Sequence, residues 1–584
     1  MSQTNYELNT FSYKLPQHLE RAVLQEIEDW RRSKKITSVW DKDSSVWTRS
    51  GEEEWMGWID IVSRQMNRIS ELEAFALSIR REAYGHVVLL GMGGSSLCAE
   101  VIQKSFGSSG VKLGFPDFHI LDSTDPIQIR DIEELISIED TLFIVSSKSG
   151  STLEPNILCD YFFQRMKECV GNSDAGSHFI AITDPGSNLE ARANNSKFLK
   201  VFHGDPSIGG RYSVLSHFGM VPAALMGVDI KRFLNQTQFM VEHCRPDILS
   251  SRNPGVILGA ILGTLGRIGH DKVTIACTPE TEGFGAWVEQ LLAESTGKQG
   301  HGLIPIVGEE TLLPEFYGSD RVFVYVRMSE SSDAKLDLKI NALEQAGQPV
   351  IRITIADIYN LGQEFFRWEL STAVAGSILG INPFDQPDVE ASKVATRKLT
   401  DQYEKDGSLQ IEAPIFQNDD VQVFGDPIAF ENEGKFRNLQ ASDYLCSHLN
   451  RLGLGDYFAI LAYVPMSPLD DKTLQIFRTQ ILKSKKVATC VEFGPRFLHS
   501  TGQAYKGGPN SGVFLQITSH PFSDIYVPGH KYTFGVVDAA EAQGDLTVLK
   551  ERHRRVMRIH LRRDTESGLN YLRKEMESAI RKCG

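Results

Sequence analysis

The sequence predicts an α/β protein of two tandem units, each a mainly parallel sheet flanked by helices as a three-layer sandwich, with a helical N-terminal extension. Three observations predict it. Four short β-branched runs, "HVVLL" (86–90), "DFHILD" (117–122), "TLFIVSS" (141–147) and "HFIAIT" (178–183), are separated by stretches long enough to hold a helix. A second series, "KVTIAC" (272–277), "RVFVYV" (321–326) and "PVIRITI" (349–355), repeats the alternation around the helical "GFGAWVEQLLAESTGK" and "EFFRWELSTAVAGSILG". Finally, several of these runs end in glycine- and serine-rich turns that open a helix. Alternation of this kind makes the strands parallel and covers both faces of each sheet.

Bulk properties narrow the function classes. A chain of 584 residues, 41% hydrophobic, can bury a large core divided among domains. Its net charge of -14 supplies no basic field for nucleic acid or anionic lipid. No apolar run approaches the roughly 18 residues of a membrane span. The opening "MSQTNYELNTFSYKL" lacks the basic and apolar regions of a signal peptide, so a cytoplasmic chain is expected. The cysteines (98, 159, 169, 244, 277, 446, 490, 583) form no C-x-x-C pair and do not cluster with histidine, and read as reduced thiols. No metal and no cofactor are expected.

Residues 1–82 read as a helical region: "LPQHLERAVLQEIEDWRRS" opens on Pro16, and "WMGWIDIVSRQMNRISELEAFALSIRR" repeats apolar residues at three- and four-residue spacings. The first unit is expected over 83–203. In "VVLLGMGGSSLCAEV", Gly91, Gly93 and Gly94 follow a strand and Ser95 opens a helix, where bare backbone admits a ligand and free N–H groups attract an anion. A dinucleotide fingerprint would need glycine at 96, where Ser96 stands, although Asp122 could pose as its ribose acid. After 141–147 come Ser146, Ser147, Lys148, Ser149, Ser151 and Thr152, then a helix with Glu154 in its first turn. Hydroxyls, a lysine and helix-terminal amides suit one phosphate monoester. A serine-rich helix cap with no ligand is the alternative. No G-x-x-x-x-G-K-[ST] pattern is present, which argues against a nucleoside triphosphate.

The second unit is expected over 204–403. "GGRYSVLSHFG" (209–219) sets Arg211 after Gly210 at a bend, and "WVEQLLAESTGKQG" (287–300) sets Gln290 and Glu294 on one helix face. Residues 404–480, with "FGDPIAFENEGKF" and "YVPMSPLDD", read as an insertion or small subdomain. "KVATCVEF" (486–493) restores the pattern, so 481–584 is expected to complete the second unit, with "LKERHRRVMRIHLRRD" as a solvated basic helix or strand.

Together these stretches resemble the glucose-6-phosphate isomerase family, built from two sugar isomerase (SIS) domains. "GSILGINPFDQPDVEASK" (376–393) is similar to the family's second signature through Phe384, Asp385, Gln386, Val389, Glu390 and Lys393. Asp388 stands where the family usually has glycine, and Pro206 and His217 are unusual in the first signature. The resemblance implies phosphate contacts from Ser147, Lys148, Ser149 and Thr152, and a glycine loop, Gly94 and Ser95, close to the sugar. It places Arg211 beside the reacting carbons, Glu294 as the base, and Gly210, Gln290, Gln386 and Lys393 on the substrate, with Lys393 sharing the ring-opening proton shuttle with the histidine. It also implies a homodimer acting on a hexose 6-phosphate.

The family's ring-opening histidine is displaced here. Between 295 and 392 only His301 is present, whereas "FLHSTGQAYKGGPNSGVFLQI" (497–517) carries His499 and Gln503 at the family's H-x-x-x-Q spacing. Ring opening is therefore assigned to His499, with His301 as the fallback. The same stretch resembles the isomerase half of bifunctional transaldolase/glucose-6-phosphate isomerases, but the chain is too short to add a transaldolase barrel, so an isomerase alone is expected. Other SIS-type isomerases of amino sugar or mannose phosphates, and a non-catalytic phosphosugar sensor, are the rival readings.

Overall fold

The computed structural model describes residues 7–331, 333–409, 412–425, 439–521 and 523–583. Part of "FGDPIAFENEGKF" lies outside the described residues. The first strand, β1 (Thr10–Lys14), is followed by helices at Gln17–Arg32, Lys35–Trp40, Ile61–Met66 and Ile69–Glu82. Helix Gln17–Arg32 buries Leu19, Val23, Ile27 and Trp30, a stripe of one face, against helix Pro254–Arg267.

The first sheet contains β2 (His86–Gly91), β3 (Asp117–Leu121), β4 (Thr141–Ser146), β5 (Phe179–Thr183) and β6 (Lys200–His203) in the order β3-β2-β4-β5-β6. Every pair is parallel. Val87 and Leu89 face one core, Val88 and Leu90 another, which is why the strand reads as an unbroken apolar run.

β7 (Lys272–Cys277), β8 (Ile304–Val307), β9 (Arg321–Met328) and β10 (Val350–Ile355) make the second sheet, ordered β1-β10-β9-β7-β8. β1, in the region expected to be helical, adds an antiparallel edge with Phe11 opposite Ile353.

Residues beyond 404 depart from expectation. β11 (Phe416–Gln417), β12 (Val421–Phe424), β13 (Tyr457–Tyr463), β14 (Ala488–Phe493), β15 (Gly512–Thr518) and β16 (Arg555–Leu561) form a third, six-stranded sheet, ordered β11-β12-β16-β15-β13-β14. The segment 404–480 is thus no insertion, and 481–584 adds no strand to the second sheet. The physical reason is burial: β13 and β15 are apolar and inaccessible along their whole length, so they need a sheet with both faces covered. The basic "RRVMRIHLRRD" is likewise no solvated face. Its Val556, Met557, Ile559 and Leu561 are buried, and Arg555 pairs with Asp456 at 2.6 Å.

Two apolar clusters weld this third unit to the others. Ile525, Val527, Tyr532, Phe534 and Val537 pack on the first sheet, while Tyr457, Leu461, Tyr463, Leu498 and Ala504 share a core with Ala293, Ile304 and Ile306. Inside the third unit, Lys506 and Asp545 form an ion pair at 2.6 Å with neither side chain exposed. Removing one partner strands a buried charge. Asp545→Ala should destabilise the fold by about 3–5 kcal/mol in urea denaturation, and the double substitution Lys506→Met/Asp545→Leu should recover much of it.

Candidate active site

In the first sheet the chain leaves β2 toward β3 on one side and later enters β4 on the other. Loops beyond the carboxyl ends of such strands diverge and leave a crevice. The loops that meet there are 92–95 after β2 and 147–152 after β4. Four further segments close on them: 209–212, the end of helix Glu282–Thr296, 382–388, and 494–503 after β14.

Contact between these segments requires bare backbone. Gly93 has φ +55°, and a Cβ there would lie 2.8 Å from the His499 carbonyl oxygen. A Cβ on Gly94 would lie 2.2 Å from the Gly210 carbonyl oxygen. The glycine loop is thus packed between the arginine loop and the histidine segment, and any side chain would force them apart.

Arg211 is 1% exposed and its guanidinium is fully committed: Nε donates to Ser295 Oγ at 2.7 Å, Nη1 to Gln386 Oε1 at 2.9 Å, and Nη2 to the Pro383 carbonyl at 2.7 Å. Its Nη1 also stands 3.3 Å from Glu294 Oε1. Glu294 Oε2 accepts from Gln290 Nε2 at 3.1 Å, and the same amide donates to the His499 carbonyl at 2.8 Å. Tyr212, Trp58 and Phe384 wall the arginine loop with ring centroids 5.3 to 6.5 Å apart.

His499 Nε2 lies 2.6 Å from Glu154 Oε1. Burial pushes the Glu154 carboxyl up, but the charge and hydrogen bond of His499 outweigh it and hold the carboxyl at about 2. Gln503, four residues on, staples the segment in place. Its carbonyl accepts from the Asp388 and Val389 N–H groups at 2.9 and 3.1 Å, and its amide donates to the Gly297 carbonyl at 2.9 Å. His301, in contrast, is exposed and bridges backbone with Lys298.

The hydroxyl-rich turn precedes helix Leu153–Val170, whose N-cap Thr152 makes no side-chain capping bond. Ser147 Oγ lies 3.4 Å from Thr152 Oγ1, and Ser151 Oγ donates to Ser149 Oγ at 3.0 Å. Lys148 differs from expectation: its ammonium pairs with Asp184 and donates to the Asp205 carbonyl at 2.9 Å. An anion placed at this turn would therefore meet hydroxyls and helix-terminal N–H groups. Ser95, 8% exposed, accepts through its carbonyl from Ser146 Oγ at 2.9 Å, which ties the glycine loop to this turn.

Lys393 is not drawn into the cluster; its ammonium holds Glu390 at 2.7 Å. The buried lysine beside Arg211 is Lys298, whose Nζ donates to Asn382 O at 2.8 Å and Asp385 Oδ1 at 2.6 Å. Burial, then the adjacent Arg211 charge, lowers it to about 8. The sequence shows Lys298 in "ESTGKQG" and Glu154 in a first helical turn, but no spacing marks either as a site residue. Asp388 earns its departure from glycine by accepting from Gln503 Nε2 at 2.9 Å and pairing with Arg552 at 2.7 Å.

Asp122 faces Ser96 Oγ at 3.0 Å and Arg496 at 3.3 Å, an internal cluster rather than a ribose site. Among the described residues, one group of metal-type donors stands together, His86, Asp117 and His119, at the opposite ends of β2 and β3. There His86 Nδ1 and His119 Nε2 satisfy each other at 3.1 Å. No described helix is long and apolar enough to cross a membrane.

The family model described as Phosphoglucose isomerase matches residues 57–302, which include the glycine loop, the hydroxyl turn, Arg211 and Glu294 but not His499. A glucose-6-phosphate isomerase of Campylobacter jejuni is 26% identical over 383 residues, covering 59% of this chain and 92% of that protein. One from Rubrobacter xylanophilus is 28% identical over 362 residues, covering 54% and 83%. The crystal structure of a glucose-6-phosphate isomerase from Chlamydia trachomatis superposes with TM-score 0.55 at 19% identity, covering 68% of this chain and 89% of that one, a likeness of fold.

A carboxyl held below its ordinary value stabilises the fold above that value and loses the contribution as pH falls through the folded one. For Glu154 the window runs from 4.5 down to about 2. Glu154→Gln should flatten the pH dependence of unfolding free energy across that window in stepped-pH urea titrations; an unchanged slope would show that Glu154 carries no such charge.

Proposed function

We infer that this chain, a member of the glucose-6-phosphate isomerase family, interconverts D-glucose 6-phosphate and D-fructose 6-phosphate. One observation carries the reading: a single carboxylate, Glu294, stands against a buried arginine at 3.3 Å and is joined through one amide, Gln290, to the segment that bears a part-buried imidazole. Base, oxyanion partner and ring opener are the three groups an aldose–ketose isomerase of a cyclic sugar needs.

The reaction moves one hydrogen between C1 and C2. Neither carbon is acidic in water, so a positioned base must work beside a group that stabilises the enediolate. Glu294 takes the proton from C2 and returns it to C1 on the same face through a cis-enediol. Arg211, already desolvated, faces the developing oxyanion, where a fixed charge acts without reorganisation. Ring opening precedes this step: His499, oriented by Glu154, relays a proton between the ring oxygen and the C1 hydroxyl. The hydroxyl turn and the adjoining helix terminus anchor the phosphate, so that remote binding holds the reacting carbons over Glu294. A cytoplasmic homodimer belongs to this reading, supported by the family resemblance.

A coupled assay for glucose 6-phosphate made from fructose 6-phosphate tests the activity, with mannose and amino sugar phosphates as competing substrates. Absence of turnover with bound substrate would favour a sensor. Glu294→Gln should lower kcat by about 10²–10⁴-fold while phosphosugar binding persists. His499→Ala should slow conversion of the pyranose and His301→Ala should not; the reverse result would return ring opening to His301.

A further inference from the structure

The third unit reaches the site a second time, through helix Phe534–Glu551. Its Glu541 is 1% exposed and accepts from Thr124 Oγ1 at 3.0 Å. Its carboxyl stands within hydrogen-bonding reach of the carboxyl of Glu154, the group that holds His499. Two carboxyls so placed away from water cannot both be ionised, so one of them carries the shared proton.

Their neighbours decide which. Glu154 faces the His499 imidazole at 2.6 Å, which favours its ionised form. Around Glu541 stand Glu154 on one helix, Asp538 on its own helix, Thr124 on the loop after β3, and Tyr463 at the end of β13. Burial, then the charges of Glu154 and Asp538, push the Glu541 carboxyl well above the usual carboxylate range. One turn along, Lys506 is occupied by Asp545 and leaves this charge balance unchanged.

We propose that Glu541 is a positioning residue for ring opening: held as the neutral acid, it donates to Glu154 and fixes that carboxylate on His499. The proton stays on Glu541 throughout, and no bond to substrate is formed or broken there. A fixed Glu154 keeps His499 in one tautomer and one orientation, as a second hydrogen-bonded shell does for any general base. The proposal rests on His499 as the ring opener, so its test must read ring opening by itself.

Ring opening without isomerisation interconverts the α and β anomers of glucose 6-phosphate, which NMR exchange follows directly in a Glu294→Gln background. In that background Glu541→Leu, which fills the space but donates nothing, should slow anomer exchange by about tenfold, the worth of one hydrogen bond to a charged group. Loss of the donor makes the Glu154–His499 pair more basic, so the acid limb of the exchange profile should move up by about one pH unit. Glu541→Gln keeps a neutral donor and should rescue both rate and profile. Glu541→Met, of similar length and likewise without a donor, should move the profile in the same direction as Glu541→Leu if the leucine variant does not fold.

Unchanged exchange and profile in folded Glu541→Leu would overturn the proposal. So would a Glu541→Gln profile whose acid limb moves to lower pH, because that shift reports removal of a negative charge. His499→Ala in the same background separates the two levels: if it leaves exchange intact, the assignment of His499 fails and the proposal falls with it.

Discussion

The site depends on one buried contact, the bond between His499 and Glu154 at 2.6 Å. It joins a segment after β14, in the third sheet, to the first turn of a helix that follows β4, in the first. A carboxylate shielded from water is costly unless it is paired, and Glu154 finds its partner in the His499 ring. Every other group in the cluster is placed relative to this pair, because the His499 carbonyl also anchors Gln290 and through it Glu294.

Glycine makes the convergence sterically possible, and polar clamps make it specific. Gly93 and Gly94 let three chain segments meet at backbone contact distance, closer than any side chain would allow. Gln503 then satisfies two N–H groups at the start of helix Pro387–Asp406 and the carbonyl of Gly297 at once. Those groups would otherwise be orphaned at helix ends. A single amide thus ties together the Gln386 loop, the Glu294 helix and the histidine segment.

Parts of the site were legible because their chemistry is local. Strand, glycine turn and helix follow one another in "VVLLGMGGSSLCAEV", and hydroxyls crowd one turn in "VSSKSGST", so both loops read as candidate anion sites before any fold is known. Lys148 shows the limit of such reasoning: its position in the motif suggested a phosphate contact, yet Asp184, 36 residues away, claims the ammonium. Lys393 likewise pairs locally, with Glu390 one turn back on its own helix. Lys298, Glu154 and Glu541 were invisible as functional groups because nothing local distinguishes a buried lysine or glutamate from a solvated one.

The sequence by itself determined the class of fold and most of the strands in the first two sheets, since each follows from hydrophobic period, and it marked the glycine- and hydroxyl-rich turns as candidate anion sites from residues adjacent in the chain; the roles of Glu294 and Arg211 came only from the family resemblance. Tertiary structure alone decided that the strands between 416 and 561 build a sheet of their own, and that Glu154 stands against His499, the histidine the sequence already favoured over His301. The same holds for the carboxyls that surround that histidine. The reason is one of range: β13 and β15 are apolar runs too short for periodicity to tell strand from buried helix. Contacts between residues 345 and 417 positions apart, as in Glu154–His499 and Thr124–Glu541, leave no periodic trace in either segment.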